Sequence, residues 1–233
     1  MFIENEIISN SRLQVDGLVS AIKRKKIALE DVGDFMPGFV HLNDCQNHEM
    51  TYLNKNGQEE WESSLEDIRD RGLDWLLDMC HNDVLNQSFN KIKKFNKTDD
   101  GHGVLSYYQF VRKPSNSQYE WYFTSKKRFD SKNYISISHK IAQFGSAANV
   151  MKDILDDNII LKKNHQRFHT LTKSEKWILK LIAEGNRSKD ISEILHISFH
   201  TVNTHRKNIW AKLGVKTYAE LHRIAMAFDL FED

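Results

Sequence analysis

Cysteine and proline are both scarce in this sequence, and each shortage excludes a class of protein. The two cysteines, Cys45 and Cys80, are too few and too far apart for a disulfide framework or a CxxC metal site, so we expect two reduced thiols. The chain has only two prolines among 233 residues, with 40% hydrophobic and 28% charged residues, which is typical of a folded globular protein and not of a disordered one. At about 100 to 200 residues per domain, this length predicts two small domains.

Long hydrophobic runs and an excess of charge of one sign are also missing. No stretch approaches the roughly 18 consecutive apolar residues of a membrane span. The acidic and polar start of the chain lacks the basic and then apolar order of a signal peptide, so we expect a cytoplasmic location without membrane contact. The net charge is only +1, yet residues 199–213 contain three basic residues and no acidic one. A local positive surface, of the kind that binds nucleic acids, is therefore predicted there.

The first two thirds of the sequence change from a helical pattern to a mixed one. Residues 1–33 have apolar positions close to the helical spacing and predict an N-terminal helix. Residues 34–144 predict two strands, a helical middle and three further strands, which is an α+β domain with helices on one face of an antiparallel sheet. The expected strands are residues 35–42, 50–53, 104–111, 119–129 and 134–141.

The element order β-β-α-α-α-β-β-β resembles that of the PAS sensor fold. His81-Asn82-Asp83 is also similar to the His-Pro-Asp-Asp stretch common in these domains, with Asn82 in the position of the proline. Asp83 has a second explanation, because an aspartate at this place caps the helix that follows. The PAS-like resemblance implies a cavity that holds a small ligand, a cofactor or nothing, so the fold alone does not define the input signal.

Several residues of the N-terminal half belong to types that bind metal ions or haem. His41, Cys45 and His48 lie close together in the sequence, and Cys80-His81 follows later. Their spacing matches no known metal site, and a strand that runs into a loop explains them better. We therefore predict no metal ion and no cofactor, and we identify no catalytic residue.

The C-terminal residues 169–233 predict an all-α domain of four helices. Thr172 and Glu175 have the spacing of a capping box, which starts the first helix. Residues 188–195 form the second helix, and Ser198 caps a third helix after a turn of three residues. Two helices joined by so short a turn form a helix-turn-helix.

Two further segments complete this part of the chain. Residues 145–168 predict a connecting helix, whose apolar stripe is typical of ordinary packing. The fourth helix, residues 218–228, repeats apolar residues and is expected to offer an apolar face to a second copy of the chain.

The residues of the four-helix region resemble the LuxR-type (LuxR/FixJ) DNA-binding domain over residues 171–227. The resemblance is carried by Leu171-Thr172, Glu175, Ile178-Leu179, Ile182-Ala183-Glu184-Gly185, Lys189-Asp190-Ile191, Ile197-Ser198, Thr201-Val202, Thr204-His205, Asn208-Ile209 and Lys212-Leu213-Gly214-Val215. It implies that the helix of residues 199–213 enters the major groove of double-stranded DNA.

The LuxR-type resemblance also implies roles for individual side chains. Asn203, Thr204 and Lys207 fall at the base-facing positions of the family, where they suit adenine, the thymine methyl group and guanine respectively. The side chains expected at phosphates are Ser188, Lys189, His200, Thr201, Arg206 and Lys212.

These features predict a sequence-specific transcription regulator that acts as a homodimer. We expect the PAS-like domain to modulate it through a small-molecule effector or a partner, and RNA polymerase to be a further partner. Two alternatives stay open for the N-terminal domain, namely an interaction or dimerisation module without a ligand and an autoinducer-type sensor. A receiver domain is disfavoured because no all-apolar parallel strand is present. An enzyme is disfavoured because the sequence has no Gly-rich phosphate loop, nucleophile elbow or spaced set of metal ligands.

Overall fold

Five strands form one antiparallel sheet in the first half of the chain. The computed structural model describes residues 2–25, 27–99, 101–145 and 147–231. The strands are β1 (Phe39–Asp44), β2 (Met50–Leu53), β3 (Val104–Lys113), β4 (Asn116–Arg128) and β5 (Asn133–Lys140). Their order in the sheet is β2-β1-β5-β4-β3, and every pair of neighbours is antiparallel. All five expected strands are present, which confirms the α+β class.

The first strand begins four residues later than the pattern predicts. Gly33–Phe35 forms a turn of 3-10 helix, and Gly38 has a φ of 91°, a left-handed conformation that strands do not adopt. A Cβ atom at Gly38 would also lie 2.8 Å from the carbonyl oxygen of Ser138 on β5. Phe39 is therefore the first residue that can pair with the sheet.

Six helices accompany the sheet. They are α1 (Phe2–Lys25), α2 (Leu29–Val32), α3 (Lys55–Glu60), α4 (Leu65–Arg71), α5 (Leu73–Met79) and α6 (Asn82–Thr98). The segment between β2 and β3 thus holds four helices, where the sequence pattern predicts three. The additional helix α3 has no apolar stripe, and it starts because the Asn54 side chain accepts a hydrogen bond from the Gly57 amide at 3.1 Å.

Both faces of the sheet are covered by helices. Phe39 and Val40 are neighbours on β1, so their side chains point to opposite faces. Phe39 packs in a core with residues of α4, α5 and α6, as predicted for the helical middle. Val40 packs in a second core with Val15 and Leu18 of α1. The N-terminal helix α1 therefore belongs to the same domain as the sheet. It covers the face of the sheet opposite to the one covered by α4, α5 and α6.

The second half of the described chain is helical. It contains α7 (Ala147–His169), α8 (Lys173–Ala183), α9 (Ser188–Leu195), α10 (Phe199–Leu213) and α11 (Tyr218–Ala227). The four predicted helices after the connecting helix are confirmed. The helices share one apolar core, whose fully buried members are Ile178, Leu179, Ile182, Ile191, Val202, Ile209, Leu213, Leu221 and Ala225.

One expectation about apolar side chains in this region is wrong. The apolar residues of α11 do not form a free face, because Leu221, Ile224 and Ala225 are buried in the core of their own unit. Trp177 belongs to the apolar stripe of α8 by its spacing, yet half of it is exposed, with the Lys180 ammonium 5.5 Å from its ring centroid. Spacing alone does not distinguish the edge of a stripe from its centre.

The chain divides into two compact units, Met1–Asn149 and Val150–Asp233. The finer boundaries predicted above, at residues 33/34, 144/145 and 168/169, stay predictions. Among the described helices, none combines the length and the apolar character that crossing a bilayer requires.

Candidate nucleic-acid interface

The turn between α9 and α10 has a defined backbone geometry. His196 ends α9 in the left-handed conformation, with φ 52° and ψ 41°, and the Ile197 amide donates to the Ser192 carbonyl at 3.1 Å. Ile197 packs against the core of the unit. The Ser198 hydroxyl then accepts a hydrogen bond from the Thr201 amide at 3.0 Å and starts α10. The two helices therefore form a helix-turn-helix.

The helix α10 has one buried face and one solvent-facing side. Val202, Ile209 and Leu213 have no exposed surface. Asn203, Thr204 and Lys207 are all exposed. They share one side of the helix, because positions 203 and 207 are one helical turn apart and 204 is adjacent to 203. The sequence-predicted base-facing residues thus lie on one continuous solvent-facing surface, hereafter the α10 surface.

Hydrogen bonds limit what two of the polar side chains on α10 can do. The Thr204 hydroxyl donates to the His200 carbonyl at 3.1 Å, so the outward group of Thr204 that remains is its methyl. The Thr201 and Ser198 hydroxyls lie 2.8 Å apart in the cap. The methyl group of Thr204 is accordingly suited to an apolar contact. The hydroxyl of Thr201 can make one further hydrogen bond beside the start of the helix.

The predicted phosphate residues lie on two helices. Lys189 and His200 are exposed, near the N-termini of α9 and α10 respectively, where unpaired backbone amides favour anions. Ser188, which begins α9, and Arg206 are half-buried. The Arg206 guanidinium lies 5.5 Å from the centroid of the Trp210 ring, a cation–π contact that holds the side chain along α10.

Lys212, also a predicted phosphate contact, is held inside the unit. Its ammonium lies 2.6 Å from a carboxylate oxygen of the buried Glu175, and it donates to the Thr170 carbonyl at 3.2 Å. Desolvation raises the pKa of Glu175, but hydrogen bonds from Lys212 and from the Thr172 amide outweigh it, so the pKa lies below its usual value. The predicted capping box of Thr172 and Glu175 is confirmed, and the same carboxylate also ties α8 to α10.

We expect Glu175→Gln to lower the free energy of unfolding of this unit by about 1 to 2 kcal/mol at neutral pH. The pKa of Glu175 in the folded state lies below the 4.5 of the free side chain, so its contribution is complete well above pH 4.5 and is lost as the pH falls through the folded-state pKa. Hydrogen exchange of the α8 and α10 amides in urea, at pH 7 and at pH 4, measures the difference for this unit separately.

The matched control for Glu175→Gln is Glu184→Gln, which removes an exposed carboxylate at the end of the same helix. It should change stability by less than about 0.5 kcal/mol. Equal effects of the two substitutions, or an effect of Glu175→Gln that does not shrink in acid, would contradict the ion pair.

The N-terminal unit contains a cavity of about 60 Å³ between its sheet and helices α5 and α6. Three polar residues of its wall, His41, Asn43 and Lys126, form a buried network. The Asn43 amide oxygen lies 2.9 Å from Nδ1 of His41 and accepts a hydrogen bond from the Lys126 ammonium at 3.2 Å. Burial lowers the pKa of His41 to about 3 and that of Lys126 to about 8. His41 is therefore neutral, with its Nδ1 proton donated to Asn43.

The histidines and cysteines that the sequence singled out do not form a metal site. His41 and His48 line the cavity, and so does Cys80, whose thiol has a pKa raised by burial to about 12. Cys45 is half-buried, and both cysteines are free thiols. Within the described residues, no three histidine, cysteine or acidic side chains are placed to hold a metal ion. Sequence analysis missed Lys126, because a lysine on a strand ordinarily points to solvent.

The C-terminal helices and their α10 surface define a helix-turn-helix domain. The family model of bacterial regulatory proteins of the luxR family matches residues 169–225. Residues 169–225 are thus a domain of the LuxR family. The chain is 33% identical over 119 residues to the transcriptional regulatory protein MctR of Rhizobium johnstonii. The matched region covers 42% of this chain and 54% of MctR.

A second relative matches over a shorter stretch. The oxygen regulatory protein NreC of Staphylococcus aureus is 43% identical over 65 residues, which is 28% of this chain and 30% of NreC. The chain thus spans about half of MctR and less than a third of NreC.

Two solved structures have a distant likeness. The PAS domain of an HTR-like protein from Haloarcula marismortui has a TM-score of 0.39 at 10% identity, and covers 52% of this chain and 95% of that one. A phage VqmA–DPO complex has a TM-score of 0.32 at 16% identity, and covers 94% of this chain and 93% of that one. Likenesses of this size add nothing to the family assignment.

Proposed function

We propose that this protein is a sequence-specific DNA-binding transcription regulator whose helix α10 reads the major groove. The observation that carries the proposal is the α10 surface, in which Asn203, Thr204 and Lys207 face solvent directly opposite a fully buried apolar face. Asn203 has the amide pair that matches the N6 and N7 edge of adenine, and Lys207 has the donors for guanine O6 and N7. The Thr204 methyl suits the methyl group of thymine, since its hydroxyl is bonded to the helix backbone.

Contacts to the DNA backbone would fix the register of α10 in the groove. We assign this role to Ser188, Lys189, His200, Thr201 and Arg206, which lie along α10 and at the start of α9. Lys212 can take part only by exchanging its bond to Glu175 for one to a phosphate. It is therefore the least available of the predicted phosphate residues.

Sequencing of the DNA captured from a genome by the purified full chain tests the proposal. We expect one enriched motif made of two related half-sites about 10 base pairs apart from centre to centre, or a multiple of that spacing, because a homodimer presents two copies of α10. A single half-site would contradict the homodimer. Captured DNA with no common sequence would contradict sequence-specific recognition.

Arg206→Ala should weaken DNA binding without changing which sequence is preferred. Loss of one phosphate contact is expected to reduce the slope of log affinity against log salt by about 0.9, since about that many counterions are released per contact. Affinities for the captured motif and for a scrambled duplex, measured at several salt concentrations, give the slope directly. If the variant binds both duplexes with the unchanged slope, Arg206 does not contact a phosphate.

We also propose that the N-terminal unit modulates DNA binding through a small-molecule ligand. The supporting observation is the cavity that His41, Asn43 and Lys126 line together with aromatic side chains. Polar groups placed among aromatic and aliphatic side chains are the usual composition of a small-molecule site.

A further inference from the structure

Lys126 is a buried cation for which the described residues supply no anion. It is 3% exposed, and its ammonium donates to the Asn43 amide oxygen at 3.2 Å and lies 5.5 Å from the Tyr134 ring centroid. Among the described residues, no carboxylate acts on the charge of this ammonium. An ammonium buried with one neutral acceptor is costly, since burial removes water from all three of its donors.

The position of Lys126 on β4 makes this burial unavoidable. Side chains alternate along the strand, and Ser125 points to α1, where its hydroxyl accepts a hydrogen bond from Ser11 at 2.8 Å. Lys126 therefore points to the other face, into the cavity between the sheet and helices α5 and α6.

The wall of the same cavity contains a buried donor that lacks an acceptor. Trp61 is 4% exposed and lines the cavity, and its indole N–H has no hydrogen-bond partner among the described residues. Trp75, the other tryptophan of the wall, donates its N–H to Ser63 at 3.2 Å and is satisfied. Buried donors without acceptors are rare in folded proteins, and this N–H, together with a buried ammonium that has no anion, points to a bound group with two acceptor atoms.

The rest of the wall restricts the size and polarity of that group. Leu85, Phe89, Ile92 and Val111 present apolar surface, and no acidic residue lines the cavity. A volume of about 60 Å³ is less than half of a cavity that holds benzene, about 150 Å³, so only a few heavy atoms fit. A cation is disfavoured by Lys126, and the apolar side chains favour an anion that also has an alkyl part.

We propose that this cavity binds a short-chain monocarboxylate, whose two oxygens accept from Lys126 and Trp61 and whose alkyl chain lies against Leu85, Phe89 and Ile92. The carboxylate supplies the missing counter-charge, and its second oxygen supplies the missing acceptor. The inference rests on the proposed sensor role of the N-terminal unit and names the chemistry of its ligand.

Calorimetric titration of the full chain with sodium acetate, propionate and butyrate at constant ionic strength tests the proposal. We expect saturable binding of at least one of the three, and a raised unfolding temperature of the N-terminal unit when it is present. The uncharged amide of the same acid should bind about tenfold or more weakly, because it cannot pair with the ammonium. Binding of none of the three acids, or equal binding of acid and amide, would overturn the proposal.

Two variants separate the contact from general charge effects. Lys126→Met keeps the side-chain length and should lose about tenfold or more of the carboxylate affinity, whereas Lys94→Met removes an exposed lysine of α6 and should lose none. If Lys126→Met does not fold, Trp61→Phe removes only the indole N–H and should weaken binding several-fold. Unchanged affinity in both Trp61→Phe and a folded Lys126→Met would overturn the proposal.

DNA binding measured in the same samples distinguishes this inference from the function on which it rests. Carboxylate binding that leaves the affinity for the captured motif unchanged supports the cavity ligand and refutes the sensor role. Normal DNA binding with no carboxylate binding refutes the cavity ligand and leaves the DNA-binding function in place.

Discussion

Lys207→Ala should lower the affinity for the preferred duplex by about 5- to 150-fold and leave the affinity for unrelated DNA less affected. A good base contact contributes about 1 to 3 kcal/mol of discrimination, and Lys207 lies exposed on the α10 surface beside Asn203 and Thr204. The discrimination is measured by competition between the captured motif and a set of duplexes, in each of which one base pair is substituted. The discrimination should be lost at one base pair of each half-site, the one that Lys207 contacts.

The control for Lys207→Ala is Lys163→Ala, which removes the same charge from an exposed site on α7, outside the helix-turn-helix. It should leave the discrimination at every base pair unchanged. A uniform loss of affinity across all duplexes in the Lys207 variant would show that this lysine contacts a phosphate and not a base.

Ile209→Ala should lower the stability of the C-terminal unit by about 2 to 5 kcal/mol, the largest effect that we expect on stability. Ile209 has no exposed surface and packs in the core that the helices of this unit share, so truncation removes buried methyl groups and leaves a cavity. Hydrogen exchange of the α8 and α10 amides measures this unit without interference from the unit Met1–Asn149.

Two matched substitutions define the scale for Ile209→Ala. Ile209→Val removes a single methylene and should cost about 0.5 to 1.5 kcal/mol. Ile194→Ala, at a half-exposed isoleucine of α9, should change stability by less than about 0.5 kcal/mol. If Ile194→Ala destabilises the unit as much as Ile209→Ala, the burial of the α10 inner face is not what stabilises the helix-turn-helix.

The C-terminal domain was predictable almost to the residue because its signals are local. The capping box of Thr172 and Glu175 acts over three residues, and Ser198 starts α10 by bonding the Thr201 amide. Gly214 ends α10 with a φ of 67°, a conformation that glycine adopts without strain. Spacing was less informative about what an apolar face packs against, since it gave α11 a free apolar face that the structure buries in its own unit.

The N-terminal unit was predictable in its strands and less so in its helices. Alternation and turn residues defined all five strands, since both are properties of neighbouring residues. The helix α3 was not predicted, because its sequence has no apolar residue and its start depends on a single hydrogen bond to the Asn54 side chain. No local pattern shows that α1 covers one face of the sheet.

The sequence by itself determined the type and order of most helices and strands, and which side chains of α10 lie one turn apart, because these depend on residues within a few positions of each other. Tertiary structure alone decided that Lys126 is buried, since α5 and α6 close over a strand position that an open sheet would leave in water. It alone also paired Lys212 with Glu175, across 37 positions of sequence. Burial and pairing over such distances depend on packing, and packing is not encoded in the spacing of neighbouring residues.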